Sequence, residues 1–311
     1  MEIMLRPAPL KLNDKVVIIS PSGKIDESFA KDAASIMDSW GVKTEIGRYA
    51  LSENGRFSGS VEERLYDLQS ALDNPLIKLI LCSRGGYGVI HLLDKLDFSS
   101  IRKHPKWVIG YSDITALHSA LQKNGIISIH GPMAKHFSEE GEEDLSVRYT
   151  KSILFGQPVA YEIPTEGYDI INRKGRAMGK LFGGNLSVFC GLLGSKYIRI
   201  PHRGILFIED IGEVPYRVDR MIYQLKISGM FSKISGLIVG KFTDYEEDDL
   251  MYASLYESIR NVVEDYEFPV CFNFPVGHVK HNLPLLMGEK AELIVGDDKI
   301  LFKQNKGQSF D

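Results

Sequence analysis

Four short apolar runs punctuate the first 135 residues: Lys15–Ser20 (KVVIIS), Ile77–Cys82 (IKLILC), Trp107–Gly110 (WVIG) and Ile126–Ile129 (IISI). None alternates apolar with polar residues, as a half-exposed strand would. A strand apolar throughout must be covered on both faces, the condition of a parallel sheet flanked by helices. The segments between them supply those helices. Ile25, Phe29, Ala33, Ile36, Met37 and Trp40 recur at helical spacing before Gly41, and Ser60 and Glu63 form a capping box ahead of Leu65, Leu68 and Leu72. A helix is predicted from Gly88 through Leu93, and another over Asp113–Lys123 with Gly125 as its stop. The fold class is α/β.

A chain of 311 residues is long enough for about two domains. Residues 136–175 hold an acidic run and a polar, Gly/Pro-bearing stretch without helical period, and read as an inter-domain connection. The expected division is a domain over 1–135, the connection, and a second domain over 176–311. In the second, Gly204–Ile208 (GILFI) delivers Glu209, and Pro215 opens a helix with Val218, Met221, Ile222 and Leu225 on its apolar face. Gly236–Phe242 reads as a strand, Leu250–Tyr266 as a long helix, and Pro269–Phe274 as a strand running into Pro275-Val276-Gly277-His278. A hairpin joins Glu292–Val295 to Lys299–Phe302.

A formal net charge of −4 and a pI of about 6.1 give no basic footprint for nucleic acid. No apolar run approaches the roughly 20 residues needed to span a bilayer. Glu2 and Arg6 interrupt what would be the core of a signal peptide, so cytoplasmic residence is expected. Cys82, Cys190 and Cys271 are too scattered for a disulfide framework or a CxxC metal site. His278 and His281 lack an obvious third ligand, and Asp244–Asp249 lacks the spacing of a calcium loop. Neither metal nor cofactor is expected.

Chemistry concentrates at strand ends. In Gly110-Tyr111-Ser112-Asp113-Ile114 a serine sits at a strand-to-helix turn, where an attacking hydroxyl would meet the N–H groups opening the next helix. The motif falls short of G-x-S-x-G because Ile114 replaces the second glycine; alone, Ser112 reads more readily as a helix cap. Gly85-Gly86-Tyr87-Gly88 lets backbone approach a ligand or simply turns the chain. It is neither a dinucleotide fingerprint nor a P-loop. Glu209 and His278 each end a strand; separately they read as a cap or ion-pair partner and a loop histidine, but with Ser112 they supply nucleophile, base and orienting acid. Arg84 and Arg220 are candidates for a substrate carboxylate, or are structural. A two-domain protein that closes on a small ligand is the reading from another class, and would need no Ser/Glu/His set.

Taken in order, VVIISPSG, SRGGYG, GYSDIT, HGPM, GKLFGGNLSV, FIEDIGEVPYRVDRMIYQL, GLIVGKF and FPVGHVKHNLPLLMG make the chain resemble the LD-carboxypeptidases, a family of serine peptidases. The resemblance implies a Rossmann-like N-terminal domain and a smaller mixed α/β C-terminal domain, often dimeric, with the active site between them. It implies a nucleophile at Ser112, an acid at Glu209 and a base at His278. It also implies an oxyanion hole from backbone N–H groups of Asp113 and the Gly85-Gly86 loop. The implied reaction splits terminal D-alanine from the L-centre of a diamino acid in murein tetrapeptides, a step of peptidoglycan recycling. A related branch cleaves peptidyl-nucleotide antibiotics of the microcin C type and tends to be longer, with an insert around the site. One departure is visible: Leu286 and Met287 lengthen the Leu-Pro-x-Gly ending that follows the histidine.

Overall fold

A computed structural model describes residues 4–165, 167 and 171–304. The chain forms two compact units, one from Met1–Gln157 with Lys280–Gly288, the other from Pro158–Val279 with Glu289–Asp311.

The first unit is built on β1 (Lys15–Ile19), β2 (Lys43–Ile46), β3 (Ile77–Cys82), β4 (Trp107–Gly110) and β5 (Ser128–His130), with helices α1 (Glu27–Ser39), α2 (Val61–Asp73), α3 (Ser99–Lys103), α4 (Thr115–Lys123), α5 (Ala134–Glu140) and α6 (Leu145–Leu154). The strand order is β5-β4-β3-β1-β2, all parallel. After β1 the chain steps outward to β2 and then returns to the other side of β1 for β3. Such a reversal leaves the loops beyond the two carboxyl ends diverging, and the crevice between them is where open α/β sheets bind ligands. The apolar runs are buried as the sequence predicts, and the Ser60/Glu63 capping box opens α2.

Three expectations change here. The helix predicted after Gly88 is a pair of 3₁₀ turns, Val89–His91 and Leu93–Lys95, because the chain is extended again by Leu96 and leaves no room for an α-helix. On α2 the buried face carries Arg64 and Asp67 beside Leu68, Ala71 and Leu72, while Leu65 is only half-buried. Residues 136–175 are not simply a connection. They hold the last five residues of α5, then α6 and a strand. The inward positions of α6 include Ser146 and Thr150 beside Val147, Ile153 and Leu154, which hides its period. Both helices lie in the first unit, and the chain passes to the second after Gln157. Residues 166 and 168–170 of that stretch lie outside the described residues.

The second unit contains β6 (Val159–Pro164), β7 (Gly175–Asn185), α7 (Leu186–Gly191), β8 (Gly204–Ile211), α8 (Pro215–Ile227), β9 (Ile234–Thr243), α9 (Leu255–Val262) and β10 (Val270–Cys271). Strands β7 to β10 run parallel. Helices α7, α8 and α9 pack Phe189, Val218, Ile222, Leu225 and Ile259 onto Leu206, Ile208, Leu237 and Val239 of the sheet. The long helix expected over Leu250–Tyr266 shrinks to α9 because Ser254 and Glu257 form a capping box, and Leu250 is almost fully exposed. The strand expected over Pro269–Phe274 is only β10; Asn273 has φ +60°, which no strand continues through.

The chain then re-enters the first unit, where β11 (Leu285–Met287) pairs antiparallel with β5, Leu286 opposite Ile129. The departure from the family's ending is therefore an edge strand with both leucines buried. Finally β12 (Lys290–Val295) and β13 (Lys299–Gln304) make the predicted hairpin, completing the order β10-β9-β8-β7-β12-β13-β6. The structure is thus α/β with two sheets. Among the described residues no helix is long and apolar enough to cross a membrane.

Candidate active site

Strand β4 is apolar to its end and stops at Gly110; Tyr111 is extended, and Ser112 turns sharply with φ +63°. A side-chain-bearing residue in the left-handed region costs of order 1–3 kcal/mol and persists only where its surroundings hold it. The holders are visible. A Cβ on Gly110 would fall 2.7 Å from Ile114 Cγ1, so the glycine two before the serine makes room for the isoleucine two after it. This is how an elbow forms without a second glycine. His118 of α4 lies 2.8 Å from the Gly110 carbonyl through Nε2 and 2.8 Å from Ser128 Oγ through Nδ1. The carbonyl can only accept, so Nε2 carries the hydrogen. Burial pulls this imidazole down to about 4, keeping it neutral.

The glycine loop after β3 lies directly on the serine. A Cβ on Gly85 would be 2.7 Å from Ser112 Cβ and 2.9 Å from its Oγ. Gly86, at φ +130°, backs onto Gly23, whose N–H donates to the Gly85 carbonyl at 3.3 Å. The half-buried Arg84 places Nη1 3.4 Å from the Lys24 carbonyl. The side chain of Asp113, which sequence reasoning passed over in favour of its N–H, is buried and accepts from Ser22 Oγ at 2.6 Å and Val89 N–H at 2.9 Å. Burial raises its pKa, and those two bonds oppose the rise.

In the second unit β8 carries Glu209 into full burial, and His278 Nδ1 lies 2.8 Å from Glu209 Oε2. Gly277 makes this possible. Its φ is +126°, and a Cβ there would meet Glu209 Oε2 at 3.0 Å and the Lys241 carbonyl at 3.1 Å. Burial pushes the His278 pKa down, but the Glu209 hydrogen bond and the charges of Glu209, Asp210 and Asp244 outweigh it and leave it above the ordinary histidine value. Carboxylate on Nδ1 leaves Nε2 to take or give a proton, the arrangement a general base needs. The adjacent Asp210 is also buried. It accepts from Asn185 Nδ2 and the Ser187 N–H at 2.8 Å each, and burial, then Glu209, raises its pKa.

His281 separates from His278: it lies in the first unit, 3.6 Å from Asp144 Oδ2. Arg220 is exposed on α8 with its guanidinium 5.6 Å from the Tyr216 ring centroid. A cation that drew no attention in the sequence, Lys241, sits beside the His278 loop with its ammonium bonded to Asn273 and its pKa lowered by burial. Its signal was a lysine in an otherwise apolar strand, GLIVGKF.

Residues 16–131 match the LD-carboxypeptidase N-terminal domain and residues 178–293 the LD-carboxypeptidase C-terminal domain. The murein tetrapeptide carboxypeptidase of Pseudomonas aeruginosa is 31% identical over 294 residues, 91% of this chain and 94% of that one. The microcin C7 self-immunity protein MccF of Escherichia coli is 28% identical, with 93% of each covered. The solved muramoyltetrapeptide carboxypeptidase of Oxalobacter formigenes superposes with a TM-score of 0.86 at 29% identity, over 95% of this chain and 100% of that one. With both domains matched in chain order, over residues 16–131 and 178–293, the chain belongs to the LD-carboxypeptidase family of serine peptidases.

Proposed function

We propose that this enzyme removes terminal D-alanine from murein tetrapeptides, with Ser112 as nucleophile, His278 as general base and Glu209 as the acid that orients it. The observation that carries the reading is Ser112 itself, held at φ +63° with the glycine loop pressed on its side chain. In the proposed sequence His278 Nε2 takes the hydroxyl proton as Oγ bonds to the carbonyl carbon. The oxyanion accepts from backbone N–H groups of Asp113 and the Gly85-Gly86 loop. The C–N bond then breaks, the proton passes to the departing D-alanine amine, and water, deprotonated by the same imidazole, hydrolyses the acyl ester. No metal takes part, so EDTA is expected to leave the rate unchanged. Cytoplasmic residence and a homodimer belong to the same proposal, as does recognition of the free carboxylate by Arg84 or Arg220.

The test is D-alanine release from L-Ala-γ-D-Glu-meso-diaminopimelyl-D-Ala. Ser112→Ala is expected to cost about 10⁴–10⁶-fold with the fold intact; activity within tenfold of the parent rejects the assignment. The kinship with MccF supports a second reading, hydrolysis of a peptidyl-nucleotide. A kcat/KM higher for a peptidyl-adenylate than for the tetrapeptide would select it.

A further inference from the structure

Three turns leave the carboxyl ends of the neighbouring strands β1, β3 and β4, and one side chain ties them together. Asp113 belongs to the turn after β4. Its carboxylate accepts from Ser22, in the turn after β1, and from Val89, which closes the glycine loop after β3. Arg64 of α2 braces the same turns. It is only 2% exposed, and Nη1 donates to the Pro21 and Gly88 carbonyls at 3.0 Å each, the residues just before Ser22 and Val89. Its guanidinium stands 4.9 Å from the Phe57 ring centroid and favours the ionised form of Asp113. Gly88 is fitted to this arginine, since a Cβ there would lie 2.7 Å from Nη1.

Burying a carboxylate and a guanidinium costs several kcal/mol per ion before compensation. Side chains buried at that cost here tie three separate turns to one another rather than closing any one of them. The loop they fix is the one pressed on Ser112. Oxyanion donors must sit about 2.7–3.1 Å from the developing charge, and a displacement of 1 Å costs about 10²-fold.

We propose that Asp113 is a positioning residue whose buried carboxylate, backed by Arg64, holds the Gly85–Gly88 loop at a fixed distance from Ser112 and so presets the oxyanion donors. The proposal rests on the reading of Ser112 as nucleophile. It predicts a loss confined to transition-state stabilisation: kcat should fall while KM for the tetrapeptide stays within about threefold.

The experiment compares the full-length parent with Asp113→Asn, Ser22→Ala and the double variant. It measures the rate at which a fluorophosphonate modifies Ser112, read by intact mass and peptide mapping, with near-UV circular dichroism to confirm the fold. Asp113→Asn keeps the shape but loses the charge. Its labelling rate is expected to drop at least about tenfold, Ser22→Ala by at least about threefold, and the double variant no further than Asp113→Asn, because both act through one contact. A folded Asp113→Asn protein that loses less than about tenfold overturns the proposal while leaving the nucleophile in place. If Asp113→Asn does not fold, Ser22→Ala decides: a loss under about threefold overturns the proposal. A parent that is never labelled at Ser112 removes the nucleophile and the proposal with it.

Discussion

His278 holds its proton more tightly than a free imidazole, and the sign of that shift fixes what a pH profile should show. Attack requires the neutral base, so kcat/KM rises as His278 deprotonates. With its pKa raised, the acid limb should lie above the ordinary value of about 6.5. Glu209→Gln removes the charge that outweighs burial. The limb should then move to lower pH, and kcat should fall by at least about 10²-fold as the tautomer and the imidazolium lose their partner. A rate–pH series on parent and variant checks both; an unmoved limb with near-normal activity takes Glu209 out of the mechanism. Ser112, Glu209 and His278 drew attention in the sequence because each was expected at the end of a strand, where a polar residue stands out; the structure instead sets Glu209 inside β8 and His278 seven residues beyond β10. Asp113 was legible only as an N–H, since nothing in GYSDIT says that its carboxylate reaches Ser22, 91 positions earlier in the chain.

At the scale of elements, α2 shows why periodicity misleads. Its buried face carries Arg64 and Asp67, and polar residues so placed look like solvent positions until their partners are known. Ser146 and Thr150 conceal α6 in the same way. The end of α2 is fastened by another buried charge: Lys106, fully buried before β4, donates to the Ala71 and Asn74 carbonyls at 2.8 and 2.5 Å. Burial lowers its pKa to about 8. In the unfolded chain a lysine titrates near 10.4, so between about pH 8 and 10.4 the unfolded state binds more protons and this group adds stability as pH rises. Lys106→Met should cost roughly 1–3 kcal/mol by leaving the helix-end carbonyls without donors. The stability difference between parent and variant should widen from pH 7.5 to 9.5, as urea titrations at the two values would show. A gap that narrows contradicts the lowered pKa.

For the whole molecule, the sequence reading of two α/β halves was correct in kind. It did not reveal that the chain returns to its first unit after His278. The segment Asn282–Gly288 is short and reads as loop; only the facing edge of β5 makes a strand of it. A fragment ending at Gln157 therefore lacks a structural part of the unit it otherwise encodes. Without Leu285 and Leu286 it is expected to be aggregation-prone, because an open apolar edge is a template for pairing. Adding a peptide of residues 280–288 should raise its monomeric fraction in size-exclusion chromatography. A fragment that is monomeric and cooperatively folded by itself would show that β11 is dispensable.

That late strand also sets a clock. His130 and Leu285, paired across β5 and β11, lie more than about 150 residues apart in the chain. Bacterial or eukaryotic ribosomes add roughly 5–20 residues per second, so β5 waits about 8–30 s for its neighbour during each round of synthesis. Throughout that interval the nascent sheet ends in an uncovered strand, and a translational pause anywhere between Gly131 and Lys280 lengthens the exposure.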